Sequence, residues 1–348
     1  MSGIRKLAAV SLLAILAAAG CSSKASHTTS QQQVGTSSGA KVSIMVGGLN
    51  KQIYLPYMLA QRLGYYTAAG LNVSLSDEPA GSDATTAMLA GQVDGVGGFY
   101  DHTIALQALG KSAESVVSML QVPGEVELCR NDLKPQIHSA ADWKGLSLGI
   151  TDTGSSTDFL TQYLAQKNGV DPASTHRIGV QAGPTFIAAI QHKNIACGMT
   201  TEPTVSTLMA TGSVYMLYDT RTAAGAQSAF GGEYPATSLY LTTSYVNSHH
   251  DIVQKLVNAY VKTLKWIQAH TGAEIAAQMP ADYYAGSGLT AYVKALDSEK
   301  GIYNPTGLMP ASGPQTCLQV QQAFNPTVKG KTIDLSKTFT NEFVQNAA

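Results

Sequence analysis

Apolar positions along this chain recur at two spacings. Short, nearly continuous or alternating apolar runs at 42–47, 71–75, 93–97 and 115–120 read as strands. Between them, apolar residues three and four apart predict a helix near 55–63 that stops at Gly64. A second helix is capped by Ser82, runs to Ala90 and is closed by Gly91, and a third starts at about Thr103. After Pro123-Gly124 a second series of the same kind begins, with strands predicted at 126–129, 146–150, 195–200 and 214–218. Within it the turn Thr151-Asp152-Thr153-Gly154 leads into a helix that carries Phe159, Leu160, Tyr163 and Leu164 on one face and ends at Gly169. A last strand at 239–243 leads into helices. The clearest of these spans 251–269, where Ile252, Leu256, Val257, Tyr260, Leu264 and Ile267 form a core-facing stripe.

This βα alternation predicts an α/β protein with parallel strands joined by crossover helices. Two such series imply two lobes. The chain crosses between them at Pro123-Gly124 and again within the Gly- and Ala-rich stretch 222–235, so its C-terminal helices return to the first lobe. The predicted division is 41–123 plus 236–348 for one lobe and 124–235 for the other. Ligands of open α/β sheets bind beyond the carboxyl ends of strands, which places a site between the lobes.

The N-terminal 40 residues have a different pattern. Arg5 and Lys6 precede an apolar stretch, 7–19, that is shorter than the about 20 residues needed to cross a bilayer but suits an export signal. Small residues then lead directly to Cys21 in Ala18-Ala19-Gly20-Cys21-Ser22-Ser23. The segment resembles a bacterial lipoprotein signal, 1–21, whose processing leaves a diacylated, palmitate-type cysteine at the mature N-terminus. An ordinary secretory signal cleaved nearby is the other reading. Residues 22–40 are almost entirely Ser, Thr, Gln, Gly, Ala and Lys, too polar to offset their ordering entropy, and form a predicted linker spanning on the order of 25 Å.

From Lys41 about 300 residues remain, enough for one large or two medium domains. The formal net charge of -1 gives no reason to expect nucleic acid or a polybasic membrane face. Charged residues make up only 13%, while Gly, Ser, Thr and Tyr are plentiful, a surface suited to hydrogen bonding small neutral or weakly charged molecules. Beyond Cys21 the cysteines are Cys129, Cys197 and Cys317. This odd count leaves at least one thiol free, and no spacing reads as a metal site. No cofactor is implied.

Several segments, in order, are similar to the extracytoplasmic solute-binding proteins of nitrate, sulfonate, taurine and thiamine-pyrimidine-precursor ABC importers (NMT1/THI5-like). They are Leu63-Gly64-Tyr65-Tyr66 with Ala69-Gly70-Leu71-Asn72-Val73, then Ala90-Gly91-Gln92-Val93-Asp94, then Trp143-Lys144-Gly145-Leu146-Ser147-Leu148-Gly149. Gly154-Ser155-Ser156 and Thr201-Glu202-Pro203 complete the series. The resemblance implies a two-lobed periplasmic-binding-protein fold of type II kind, with a mixed, mainly parallel sheet in each lobe and a hinge between them. It also implies a monomer that hands a small-molecule ligand to an ABC permease and its ATPase, here from a lipid anchor outside the cytoplasm. A ligand-sensing lipoprotein that signals through a membrane partner fits the same sequence. The pyrimidine synthase of the same fold carries a dense cysteine motif that is absent here.

Turns equivalent to those that hold the ligand in related proteins single out Asn50, Tyr54, Ser82, Tyr100, His102, Ser155 and Ser156, with Glu202 at the second lobe's turn. Structural roles compete at several of these. Ser155-Ser156-Thr157-Asp158 also spells a capping box, Ser82 a cap, Tyr54 and Tyr100 core, His102 a helix start, and Glu202 a hinge-facing group. These loops carry no Arg and one Lys, Lys51, which argues against a dianion. A monoanion at the helix starts, or a planar molecule against Tyr54, Phe99 and Tyr100, fits better. The chain lacks a GxSxG elbow, a P-loop and an HExxH motif, and Gly95-Val96-Gly97-Gly98 does not meet the dinucleotide spacing, so binding rather than catalysis is expected.

Overall fold

The computed structural model describes residues 39–347. The chain divides into two units, Met1–Thr36 and Ser37–Ala348, and every described residue belongs to the second. The predicted signal, Cys21 and residues 22–38 of the predicted linker lie outside the described residues. Ten strands follow in chain order among those residues: β1 (Ala40–Val46), β2 (Leu71–Asp77), β3 (Gly95–Phe99), β4 (Ala113–Ser118), β5 (Val126–Arg130), β6 (Ser147–Ile150), β7 (His176–Gly179), β8 (Cys197–Thr200), β9 (Val214–Asp219) and β10 (Thr237–Thr242). β1 starts at Ala40, inside the predicted linker, because that residue already pairs with Leu71.

The strands form two five-stranded sheets, ordered β2-β1-β3-β10-β4 and β7-β6-β8-β5-β9. In the first, β1 is parallel to β2 and β3, while β10 lies antiparallel to both β3 and β4. In the second, β6 is parallel to β7 and β8, while β5 lies antiparallel to both β8 and β9. Each sheet is therefore mixed, with four strands in one direction and one reversed. The reversed strand is in both cases the first one laid down after the chain arrives from the other sheet.

Alternation explains the strands locally. In β1, Val42, Ile44 and Val46 are buried while the residues between them are more exposed. The glycine run of β3 has a packing cause: a Cβ on Gly97 would come within 2.7 Å of the Tyr57 ring, and one on Gly98 within 2.8 Å of the Tyr240 hydroxyl. The helix His250–Ala269 buries Leu256, Val257, Tyr260, Leu264 and Ile267 of the expected stripe, with Ile252 half-buried at its start, and its Tyr260 meets Tyr57 edge-on at 5.2 Å. The edge strand β7 has no counterpart in the sequence reading, because most of its residues are exposed and no apolar alternation marks it.

Two connections join the sheets, residues 119–125 and residues 220–236, and the second contains the helix Ala223–Phe230. They run side by side, since the backbone N–H and the hydroxyl of Thr220 both donate to the Glu125 carbonyl, at 3.0 and 2.7 Å. Gly124, at φ +70°, lets the first connection pack closely on Ile53, since a Cβ there would stand 2.7 Å from that side chain. The later helix Gly313–Phe324 packs on both Asp101–Ala108 and Ser156–Lys167, one helix from each side. Cys129 and Cys197, directly opposite each other in β5 and β8, form a disulfide, and Cys317 is a buried free thiol.

Candidate functional site

The carboxyl ends of β1, β3 and β6 converge on a cavity of about 20 Å³, room for one water-sized group. From the first sheet it is lined by Gly47 and Lys51 after β1, by Tyr54, by Gly81 at a helix start, and by Phe99 and His102 after β3. From the second come Thr151 and the helix-start residues Ser155, Ser156 and Thr157. Glu125 enters from the connection between the sheets. A larger cavity of about 800 Å³ adjoins it and shares Lys51. Gly48, Asn50 and Pro79 line one wall, the start of the helix Pro184–Gln191 and the Pro203–Thr204 turn another, and Tyr283 and Ser287 a third.

Hydrogen bonds tie the two sides together across the inner cavity. The Ser156 hydroxyl donates to Asp101 Oδ1 at 2.8 Å and lies 3.4 Å from His102 Nε2, while Asp101 Oδ2 accepts from the Tyr234 hydroxyl at 2.8 Å. Ser155 sits at the N-cap position of the helix Ser156–Lys167, yet its hydroxyl donates to the Asp152 carbonyl at 2.6 Å and does not cap. The expected capping box is thus not formed. Asp158 instead accepts from the Gly154 N–H at 2.9 Å and from Arg177 Nε at 2.6 Å. First-turn N–H groups of the helices Gly81–Leu89 and Ser156–Lys167 lack intrahelical partners, which makes both helix starts donor-rich.

The charged groups of the cavity are buried. Lys51 is 8% exposed, and its ammonium donates to the carbonyls of Gly47 at 2.8 Å and Pro79 at 3.1 Å. Burial lowers its pKa, partly offset by Glu125 and Asp77. Glu125 is 4% exposed, and its Oε2 is enclosed without a hydrogen-bond partner. Burial raises its pKa to about 7, with Lys51 pulling the other way. Burial also lowers the pKa of His102 against the pull of Asp101, which favours the neutral imidazole.

The structure brings Tyr54, His102, Ser155 and Ser156 together around the inner cavity. Asn50 is exposed and lines the outer one. Three placements depart from the sequence reading. Ser82 is not the cap, because the N-cap is Ala80 and the helix begins at Gly81. The Ser82 hydroxyl is enclosed without a partner, and Gly81 lines the cavity in its place. Tyr100 is fully buried, with its hydroxyl 2.5 Å from that of Thr338 and its ring edge-on to Phe339, so it is core rather than a cleft platform. Glu202, which precedes a cis proline, accepts from the Ser206 N–H and hydroxyl and from Arg221, a structural role outside the inner cavity. Glu125 was missed. Its signal is an acidic residue between the Gly124 crossing and an apolar strand. Among the described residues no three His, Cys, Asp or Glu side chains are placed to share a metal ion, and no helix is long and apolar enough to cross a membrane.

The sequence profile of the NMT1/THI5-like proteins matches residues 52–273. The chain belongs to the NMT1/THI5-like family. A solved structure from Bordetella bronchiseptica is similar to it at 33% identity, with a TM-score of 0.84 over 89% of this chain and 97% of that one. The alkanesulfonate-binding protein of Xanthomonas axonopodis pv. citri, bound to MOPS, matches with a TM-score of 0.67 over 86% of this chain and 98% of that one. At 17% identity that likeness shows the fold alone, the periplasmic-binding-protein fold. A curated relative is a 4-amino-5-hydroxymethyl-2-methylpyrimidine phosphate synthase of Schizosaccharomyces pombe, 28% identical over 151 residues. The match spans 42% of this chain and 42% of that enzyme's length.

Proposed function

We propose that this chain is the solute-capturing component of an ABC importer. It works outside the cytoplasm on a lipid tether at Cys21 and passes a small organic solute to a permease and its ATPase. Residues 41–123 with 236–348 form one lobe and residues 124–235 the other, and the solute is held where they meet. The observation that carries this reading is a polar cavity walled by strand ends of both sheets, with Ser156 of one side bonded to Asp101 of the other. A cavity walled by both sheets widens when they part, which suits capture and release.

Capture is favoured over catalysis by the hydrogen-bond order around Ser156. A nucleophilic serine needs its base oriented by a third group, but Asp101 bonds Ser156 and Tyr234, leaving His102 without that support. Sulfonates, carboxylates and pyrimidines are the solute classes to screen, the last because of the distant synthase relative.

A thermal-shift screen over these classes and inorganic anions identifies a binder through mass-action stabilisation. Small-angle scattering with that binder at saturation should show a smaller radius of gyration. A binder that leaves the radius unchanged overturns the two-lobed clamp. Cell fractionation tests the tether: Cys21→Ala should move the protein from membranes to the soluble fraction, and unchanged membrane association refutes the anchor.

A further inference from the structure

We propose that Glu125 selects the solute: the site takes a molecule that offers a hydrogen-bond donor, such as an amino or ammonium group, to Glu125 and an acceptor to the helix starts at Gly81 and Ser156. Acceptor-only anions are disfavoured. This inference rests on the capture reading given above and names the chemistry of the same cavity.

The argument starts from hydrogen-bond capacity. The Glu125 side chain is 4% exposed, faces the cavity, and leaves Oε2 with no partner. A buried acceptor in that state is costly until a donor reaches it. The backbone cannot turn it away, because the Glu125 carbonyl is fixed by two bonds from Thr220 and the preceding Gly124 carbonyl by the Thr201 hydroxyl. Among the described residues Lys51 is the one lysine or arginine lining the cavity, and its ammonium already donates to two backbone carbonyls. A sulfate, nitrate or simple sulfonate entering here would face Glu125 with Lys51 as its single side-chain cation, and two of that ammonium's three N–H groups are already taken by backbone carbonyls. On the opposite wall the donors are the first-turn N–H groups of two helices, each longer than two turns. Acceptor at one pole and donors at the other describe a solute with both kinds of group.

Matched pairs that differ only by an amino group test this: ethanesulfonate against 2-aminoethanesulfonate, propionate against 3-aminopropionate, and pyrimidine against 4-aminopyrimidine. Titration calorimetry on the full chain should show the aminated member of at least one pair binding roughly tenfold tighter or more, the size expected for a hydrogen bond to a charged group. Glu125→Gln should reduce that preference to within about threefold, while Glu125→Asp keeps it. Equal or tighter binding of the unaminated members, or a preference that survives Glu125→Gln, overturns the proposal. Binding of inorganic anions alone overturns it too, yet leaves capture standing. If no compound of the wider screen binds or compacts the protein, capture itself fails, and this inference with it.

Discussion

Glu127 lies in β5, fully buried, with neither carboxylate oxygen hydrogen-bonded. Burial, reinforced by the charge of Glu125, pushes its pKa well up, so the native state keeps a proton that the unfolded chain releases in the ordinary carboxylate range. The stability linked to this group is complete below that range. It falls as pH rises toward the native pKa, by about 1.4 kcal/mol per pH unit for one proton. Glu125 adds a second window of the same sign, from the ordinary carboxylate range up to about 7. Glu127→Gln should flatten the decline, so its advantage over the wild type grows between pH 5 and pH 7 in a urea denaturation series. Parallel curves for the two proteins would mean that Glu127 is already ionised when folded. At this scale the sequence revealed Tyr54, His102, Ser155 and Ser156 through their place beside strand ends and helix starts. It could not separate Phe99 from Tyr100, because neighbouring residues at a strand end face opposite sides and only the packed fold shows which side is the cavity. Glu125 escaped notice because its meaning depends on a missing hydrogen bond, which no spacing encodes.

Among the elements, those with a buried face could be read in advance. The helix His250–Ala269 and strand β1 announce themselves by periods of 3.6 and 2, since burial alone sets which positions must be apolar. Strand direction leaves no such trace, so the reversal of β5 and β10 is visible only in the pairing register. The same register decides the cysteine question, because it sets Cys129 against Cys197 across 68 residues of chain. Closing a loop of that length is worth about 4 kcal/mol in the chain-entropy account. Reduction should therefore lower the urea midpoint clearly, and Cys129→Ala with Cys197→Ala should match the reduced protein. An unchanged midpoint would show that the bond adds nothing to stability. Cys317, enclosed in the helix Gly313–Phe324, should resist thiol reagents until the protein unfolds.

For the whole molecule, the inner cavity lies where the two sheets meet, and several contacts near it tie one side to the other. Ser156 donates to Asp101, the Gln52 N–H donates to the Glu202 carbonyl at 3.1 Å, and the helix Gly313–Phe324 leans on helices of both sides. The βα order along the chain revealed two layered bodies, whereas the meeting surface depends on contacts between residues far apart in the chain, 55 positions for Ser156 with Asp101 and 133 for Tyr234 with Asp101. The placement of β10 also has a consequence for synthesis. All five strands of the second sheet lie within residues 126–219, but the first sheet has a gap between β3 and β4 until Thr237–Thr242 has been made. A growing chain can thus complete its second sheet while the first is still divided, with two strand edges waiting open. The body that begins first along the chain is the one that finishes last.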